Sequence, residues 1–255
     1  MADTAFQSGD GINPSDPPGT AGRLRARVAT ATTLLLASAE RISDGQAREP
    51  SLLPGWSRGH LLTHIARNAD SLRNLLIWAR TGVQTPQYRD QDERTEGIEA
   101  GAGRPASELL ADLYASAAAL DAEAARLPDA AWAATVTGAQ GSEHSGWYTL
   151  WRRLAEVEIH HVDLGVGYDP ADWPQPFVTY CLQQVAISFA GPRSPAVTLQ
   201  SADVPVIVRI GPAGERPATT VTGPAAMLLA WLTGRSSGAG LTAEPAGPLP
   251  ALPSW

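Results

Sequence analysis

Apolar positions recur at helical spacing in four long segments of this chain. From about Ala21 to Ile42, Leu24, Val28, Leu35 and Ala39 approximate one stripe, uninterrupted by a breaker. Pro54-Gly55 stops any regular element, after which Ser57 can cap a second helix that runs to about Thr81 and ends at Gly82. Its stripe is Leu61, Ile65, Leu72 and Leu75/Leu76, and His60, His64 and Arg67 lie along one edge of that stripe. A third helix is predicted from Pro105 to Leu127 on Leu109, Leu113 and Leu120, and a fourth from about Trp147 to Val166. Residues 82–104 and 128–146 are polar or glycine-rich and read as long connections. Four long helices with apolar stripes predict a helical bundle.

The pattern changes after the proline-rich segment 169–174. A helix near Phe177–Phe189 precedes short β-type runs at Ala196–Gln200, Val204–Ile210 and Ala218–Val221. Gly223-Pro224 then opens a last helix that closes at Gly234–Arg235, and the chain from Glu244 onward is proline-rich. Residues 1–20 carry Gly, Pro, Ser and Asp with few large apolar groups, which predicts a mobile tail. The expected fold class is therefore α+β: a tail over 1–20, a helical bundle over 21–168 and a small α+β domain over 169–255.

The fourth helix carries the densest chemistry. In LWRRLAEVEIHHVDLG, residues 150–165, Glu156, His160 and Asp163 are spaced by four and three and share one face. Leu150, Leu154, Val157, His161 and Leu164 form the neighbouring stripe. A carboxylate and an imidazole one turn apart can hold a divalent metal, or can form a buried hydrogen-bonded pair. A catalytic zinc commonly takes three protein ligands and leaves one position open. Glu156 and His160 would supply two. His64 is the best-placed third ligand on a facing element, and spacing alone also permits His60, His161 or His144. Arg235, just past a helix end, can cap carbonyls or reach an anionic ligand.

Composition removes several alternatives. The net charge of −7 argues against nucleic-acid binding, which needs clustered positive charge. All 19 basic residues are arginine, so lysine Schiff-base and P-loop chemistry are excluded. No G-x-S-x-G elbow occurs, and Cys181, the single cysteine, lies in an apolar helical context that suits an inert side chain. No run of about 18 apolar residues suggests a membrane span, and the N-terminus lacks the basic-then-apolar pattern of a secretory signal. A cytoplasmic, monomeric protein is expected.

The segments SLLPGWSRGHLLTHIARNAD, WARTGVQTPQY, LWRRLAEVEIHHVDLG and TGPAAMLLAWLTGR closely resemble the mycothiol-dependent maleylpyruvate isomerases, over nearly everything from residue 21 onward. That family joins a DinB-like four-helix bundle to a C-terminal α+β domain similar to sterol-carrier proteins. The resemblance implies a divalent metal, usually zinc, on His64, Glu156 and His160, with Asp163 in support. It also implies active-site arginines at Arg94 and Arg235. It implies mycothiol as cofactor and a small dicarboxylate as substrate. The implied reaction is conversion of maleylpyruvate to fumarylpyruvate in gentisate breakdown: a thiolate adds to the alkene, the resulting single bond rotates, and the thiol is expelled. The rival activities are mycothiol S-transfer to an electrophile and a non-catalytic ligand-binding module.

Overall fold

A computed structural model of the protein describes residues 11–255. The chain divides into a first unit ending at Gly167 and a second spanning Tyr168–Trp255. Among the described residues, no helix is long and apolar enough to cross a membrane.

In the first unit the helices are α1 (Pro17–Ala39), α2 (Asp44–Arg48), α3 (Arg58–Thr81), α4 (Gln91–Ala102), α5 (Ala106–Ala124) and α6 (Gly146–Asp163). The long helices α1, α3, α5 and α6 form the bundle, with α3 packed on both α5 and α6. Its core is the set of stripes seen in the sequence: Leu24, Leu35, Leu61, Ile65, Leu72, Leu109, Leu113, Leu154 and Val157 are all buried. The helix α3 begins and ends where its local chemistry requires. Ser57 accepts from the backbone N–H of His60, and Gly82 adopts φ +71°, a left-handed conformation that favours glycine.

Three expectations need correction. The helix α1 starts at Pro17, inside the segment expected to be a mobile tail; residues 1–10 of that segment lie outside the described residues. Asp16 caps α1 by accepting from the N–H of Gly19, and prolines in a first helical turn cost no hydrogen bond. Ile12 and Thr20 are buried, which ties the segment to the bundle. The connection 82–104 also contains a helix, α4, capped by Asp90 through the N–H of Glu93. Only Ile98, Gly101 and Ala102 of α4 are buried, too few to give a periodic signal. Gly101 lets α4 lie close to α3: a Cβ there would collide with Thr63 Cγ2. The connection 128–146 is likewise not bare loop. It holds a short 3-10 turn and a hairpin, β1 (Thr135–Thr137) with β2 (Glu143–Ser145).

The second unit contains α7 (Gln175–Ser188), α8 (Ala225–Leu232) and a sheet of β3 (Val197–Ser201), β4 (Ile207–Ile210), β5 (Thr219–Gly223) and β6 (Thr242–Glu244). The spatial order is β4-β3-β5-β6, with β3 and β5 parallel and both outer pairings antiparallel. The chain is thus α+β, as expected. The strand β6 went unread because three residues ahead of a proline-rich tail give no alternation of their own.

Candidate metal centre

Two ties bring the start of α3 beside the end of α6. The turn before α3 is joined to α6 by the N–H of Leu52 donating to the carbonyl of Asp163, at 2.8 Å. Arg58 Nε donates to the carbonyl of Leu164 at 2.8 Å. With the helix ends fixed, a side chain two turns into α3 faces one two turns before the end of α6.

His64 and Glu156 are those side chains. His64 Nε2 lies 3.0 Å from Glu156 Oε2, and His160 Nε2 lies 3.3 Å from the same oxygen. One donor atom from each of His64, Glu156 and His160 falls within 4.8 Å of the others. Metal–ligand bonds of about 2.0–2.1 Å in tetrahedral geometry put donor atoms about 3.3 Å apart, so this set needs little adjustment to close on one ion. The donor set of two imidazoles and a carboxylate is that of catalytic zinc with one open position. Asp163 completes it. Its Oδ2 lies 2.8 Å from His160 Nδ1 and, at 1% side-chain exposure, it is an immobile partner that directs Nε2 toward the other ligands. Trp56 packs against the His64 ring at 5.4 Å between centroids and shields that side from water.

The electrostatics follow from burial opposed by pairing. Burial pushes His64 below the usual histidine range, only partly offset by Glu156, so its ring is neutral and ready to bind a cation. Burial would favour the neutral form of Glu156, but hydrogen bonds from His160 and His64 outweigh it and hold the carboxyl well below its usual range. Burial likewise works against a charged His160, yet Asp163 and Glu156 together raise it to about 8. In the metal-free chain this raised value stabilises the fold fully below pH 6.5 and is lost as pH rises through about 8. Metal uptake must displace that proton. The expected apparent affinity for zinc therefore rises roughly tenfold per pH unit between about 6 and 8. Competition against a chromophoric chelator at three pH values measures it, and a flat profile would mean that His160 is not a ligand.

The other histidines have separate duties. His60 closes the cap of α3, its Nδ1 2.7 Å from Ser57 Oγ, and its Nε2 lies 3.4 Å from Glu99. His161 is buried with Nε2 2.8 Å from Ser38 Oγ of α1. His144 sits on β2, its Nδ1 beside the carbonyl of Ser145. None of the three joins the triad. Arg94, on α4, reaches it: Nη2 lies 3.4 Å from His64 Nδ1, and among the described residues no carboxylate forms an ion pair with this half-buried guanidinium. Arg235 lies in the second unit, where Nη1 donates to the carbonyl of Thr233 at 2.6 Å and the guanidinium stands 5.7 Å from the Trp255 ring. Cys181 is buried, and burial raises its thiol pKa far from any reactive range.

Residues 28–165 match the family described as the mycothiol maleylpyruvate isomerase N-terminal domain, and residues 172–254 match the C-terminal domain of that family. The chain belongs to the mycothiol maleylpyruvate isomerase family. It is an enzyme fold: a crystal structure of the mycothiol-dependent maleylpyruvate isomerase is similar at a TM-score of 0.85, with 28% identity over 92% of this chain and 97% of that one. A histidine-to-alanine variant of that isomerase is similar to the same degree, with a TM-score of 0.85 and 28% identity. No curated protein sequence matches the chain.

Sequence reasoning missed three residues around this centre. Gln87 and Tyr88, in the α3–α4 loop, carry no spacing signal. Arg153, one turn before Glu156 on α6, is fully buried although its type suggests exposure.

Proposed function

We propose that the chain is a mycothiol- and zinc-dependent isomerase that converts maleylpyruvate to fumarylpyruvate. The observation that carries this reading is the convergence of His64, Glu156 and His160 beside Arg94, which has no carboxylate partner among the described residues. The family's N- and C-terminal domains and the 28% identity to the mycothiol-dependent enzyme support the choice of thiol and substrate.

When bound, the metal supplies Lewis-acid activation of the sulfhydryl, and mycothiol supplies the nucleophile that lowers the order of the carbon–carbon double bond. The chain's own residues do the rest. Asp163 holds the His160 ring in one tautomer and one orientation. Glu156 stays ionised between the two imidazoles. Trp56 covers the His64 side of the centre. Arg94 offers a forked donor to a substrate carboxylate, fixing which end of the dicarboxylate faces the triad. Arg235 is proposed as a second carboxylate-binding arginine, on its position in the family motif.

The decisive assay follows loss of maleylpyruvate absorbance with and without mycothiol, on zinc-loaded and chelated protein. Turnover is expected only with both present, and with free thiol undiminished at the end. Thiol consumed in step with substrate would indicate conjugation and overturn the isomerase reading. Arg94→Ala is expected to raise KM for maleylpyruvate about 10- to 100-fold, the loss of one charge-assisted contact, while bound zinc stays at the wild-type level. An unchanged KM would remove Arg94 from the substrate site.

A further inference from the structure

The loop between α3 and α4 is held with more care than a connection needs. Gln87 is buried at 5% exposure and ties three elements together. Its Nε2 donates to Ser71 Oγ of α3 at 3.2 Å. Its Oε1 accepts from the N–H of Ala139, in the β1–β2 turn, at 2.8 Å and from Arg152 Nη1 of α6 at 3.0 Å. Asn74 Nδ2 adds a bond to the carbonyl of Pro86 at 3.2 Å. The residue so positioned is Tyr88. It lines a cavity of about 520 Å³ together with Ser71, Arg67, Asp70 and Arg94.

The surroundings of the Tyr88 phenol define what it can do. Burial raises its pKa, hydrogen bonding to Ser71 and Arg94 pulls the other way, and the nearby charge of Glu156 raises it again. The group is therefore a neutral O–H donor at physiological pH. It stands beside Arg94, whose other reach is to His64. In a cavity shared with Arg94, the guanidinium that reaches the triad, a donor of this kind suits an oxygen that gains negative charge during reaction.

We propose that Tyr88 is a catalytic residue that donates a hydrogen bond to the substrate carbonyl oxygen conjugated with the cis alkene, and that Gln87 is its positioning residue. The proposal rests on the isomerase reading above. As the carbon–sulfur bond forms, the alkene electron pair shifts through the conjugated system and the carbonyl π pair comes to rest on that oxygen. After rotation the flow reverses, the carbon–sulfur bond breaks, and the alkene re-forms in the trans geometry. The phenolic proton stays on Tyr88 throughout, and no oxidant or further co-reactant enters.

Tyr88→Phe removes only the hydroxyl. On the zinc-loaded full chain, kcat is expected to fall about 100-fold, as for loss of one preorganised oxyanion donor, with KM changed by less than about twofold. Bound zinc and the melting temperature are expected to stay at wild-type values. A second arm uses acetopyruvate, whose enolate presents a charged oxygen on the same acylpyruvate unit but lacks the cis alkene that isomerises. Its dissociation constant, read by tryptophan fluorescence, is expected to weaken about tenfold in Tyr88→Phe, the loss of one hydrogen bond to a charged acceptor. An unchanged kcat in an active enzyme, or a loss confined to KM, overturns the proposal. A wild-type chain that does not isomerise maleylpyruvate overturns the functional reading instead, and acetopyruvate binding equal in wild type and variant then overturns the assignment of Tyr88.

Discussion

His64→Ala is expected to drop bound zinc from about one equivalent per chain to background, and kcat/KM by more than about 10³-fold. Outer-shell partners of a metal alone typically cost 10–100-fold when removed, so loss of a direct ligand sets a higher floor. Two donors would remain, both on α6, and Glu156 Oε2 and His160 Nε2 are already paired with each other at 3.3 Å. Nothing on α3 replaces the missing nitrogen. His60 lies one turn away but is engaged by Ser57 and Glu99. The variant is expected to fold, because the core around it is built from Leu61, Ile65, Leu72 and their partners rather than from the imidazole. Zinc content by mass spectrometry, circular dichroism and steady-state kinetics together check this. Full metal occupancy with full activity would move the centre elsewhere. His161→Ala is the informative control: it breaks the bond to Ser38 Oγ and leaves the three ligands in place. A loss of stability with zinc retained is the expected result there.

How much of this was legible in the sequence varies with how local the determinants are. The helix α3 was read nearly to the residue because Ser57 and Gly82 fix its ends through contacts within one turn. Four helical stripes announced the bundle because each needs only its own periodicity. The helix α4 left no such trace. Its stability comes from the Asp90 cap and from close approach to α3 at Gly101, and a glycine at a helix contact looks like a breaker in sequence. The start of α1 was hidden for the same reason, since Pro17, Pro18 and Gly19 resemble loop until Asp16 is seen to cap them.

The metal centre divides along the same line. Glu156 and His160 were visible as a pair four residues apart on one helix. Spacing could not choose His64 over His60, because the two are themselves one turn apart on α3. The choice is made by the ties from Leu52 and Arg58 to the end of α6, which set one turn of α3 and not the other opposite Glu156. Gln87 and Tyr88 end the segment WARTGVQTPQY that carries part of the family resemblance, but nothing local marked either residue for a role. Their importance comes from elements up to 65 positions away, such as Arg152, converging on one carboxamide in a loop without periodicity.

Arg153→Ala is expected to destabilise the N-terminal unit by about 3 kcal/mol, lowering its melting temperature by roughly 6–12 °C. Arg153 is 1% exposed, and Nη1 donates to the carbonyl of Ile65 at 2.7 Å and to Asn68 Oδ1 at 2.9 Å. Burial pushes the guanidinium pKa down to about 10, with Glu156, Asp70 and Tyr88 holding it up, so the group remains charged at neutral pH. Truncation leaves the buried Asn68 side chain without this donor, at a cost of about 1–3 kcal/mol. It also enlarges the cavity of about 180 Å³ that Arg153 and Leu150 already line between α1, α5 and α6. Release of a desolvated cation whose Nη2 makes no hydrogen bond works in the opposite direction and keeps the net loss near the lower end of the sum. Arg153→Met separates the contributions, because it retains most of the volume and discards the charge and its bonds. Thermal unfolding of both variants is the measurement, and Met is expected between Ala and wild type. A methionine variant more stable than wild type would show that the buried cation is a net cost to the fold, retained for its field at Glu156 and Tyr88 and not for stability.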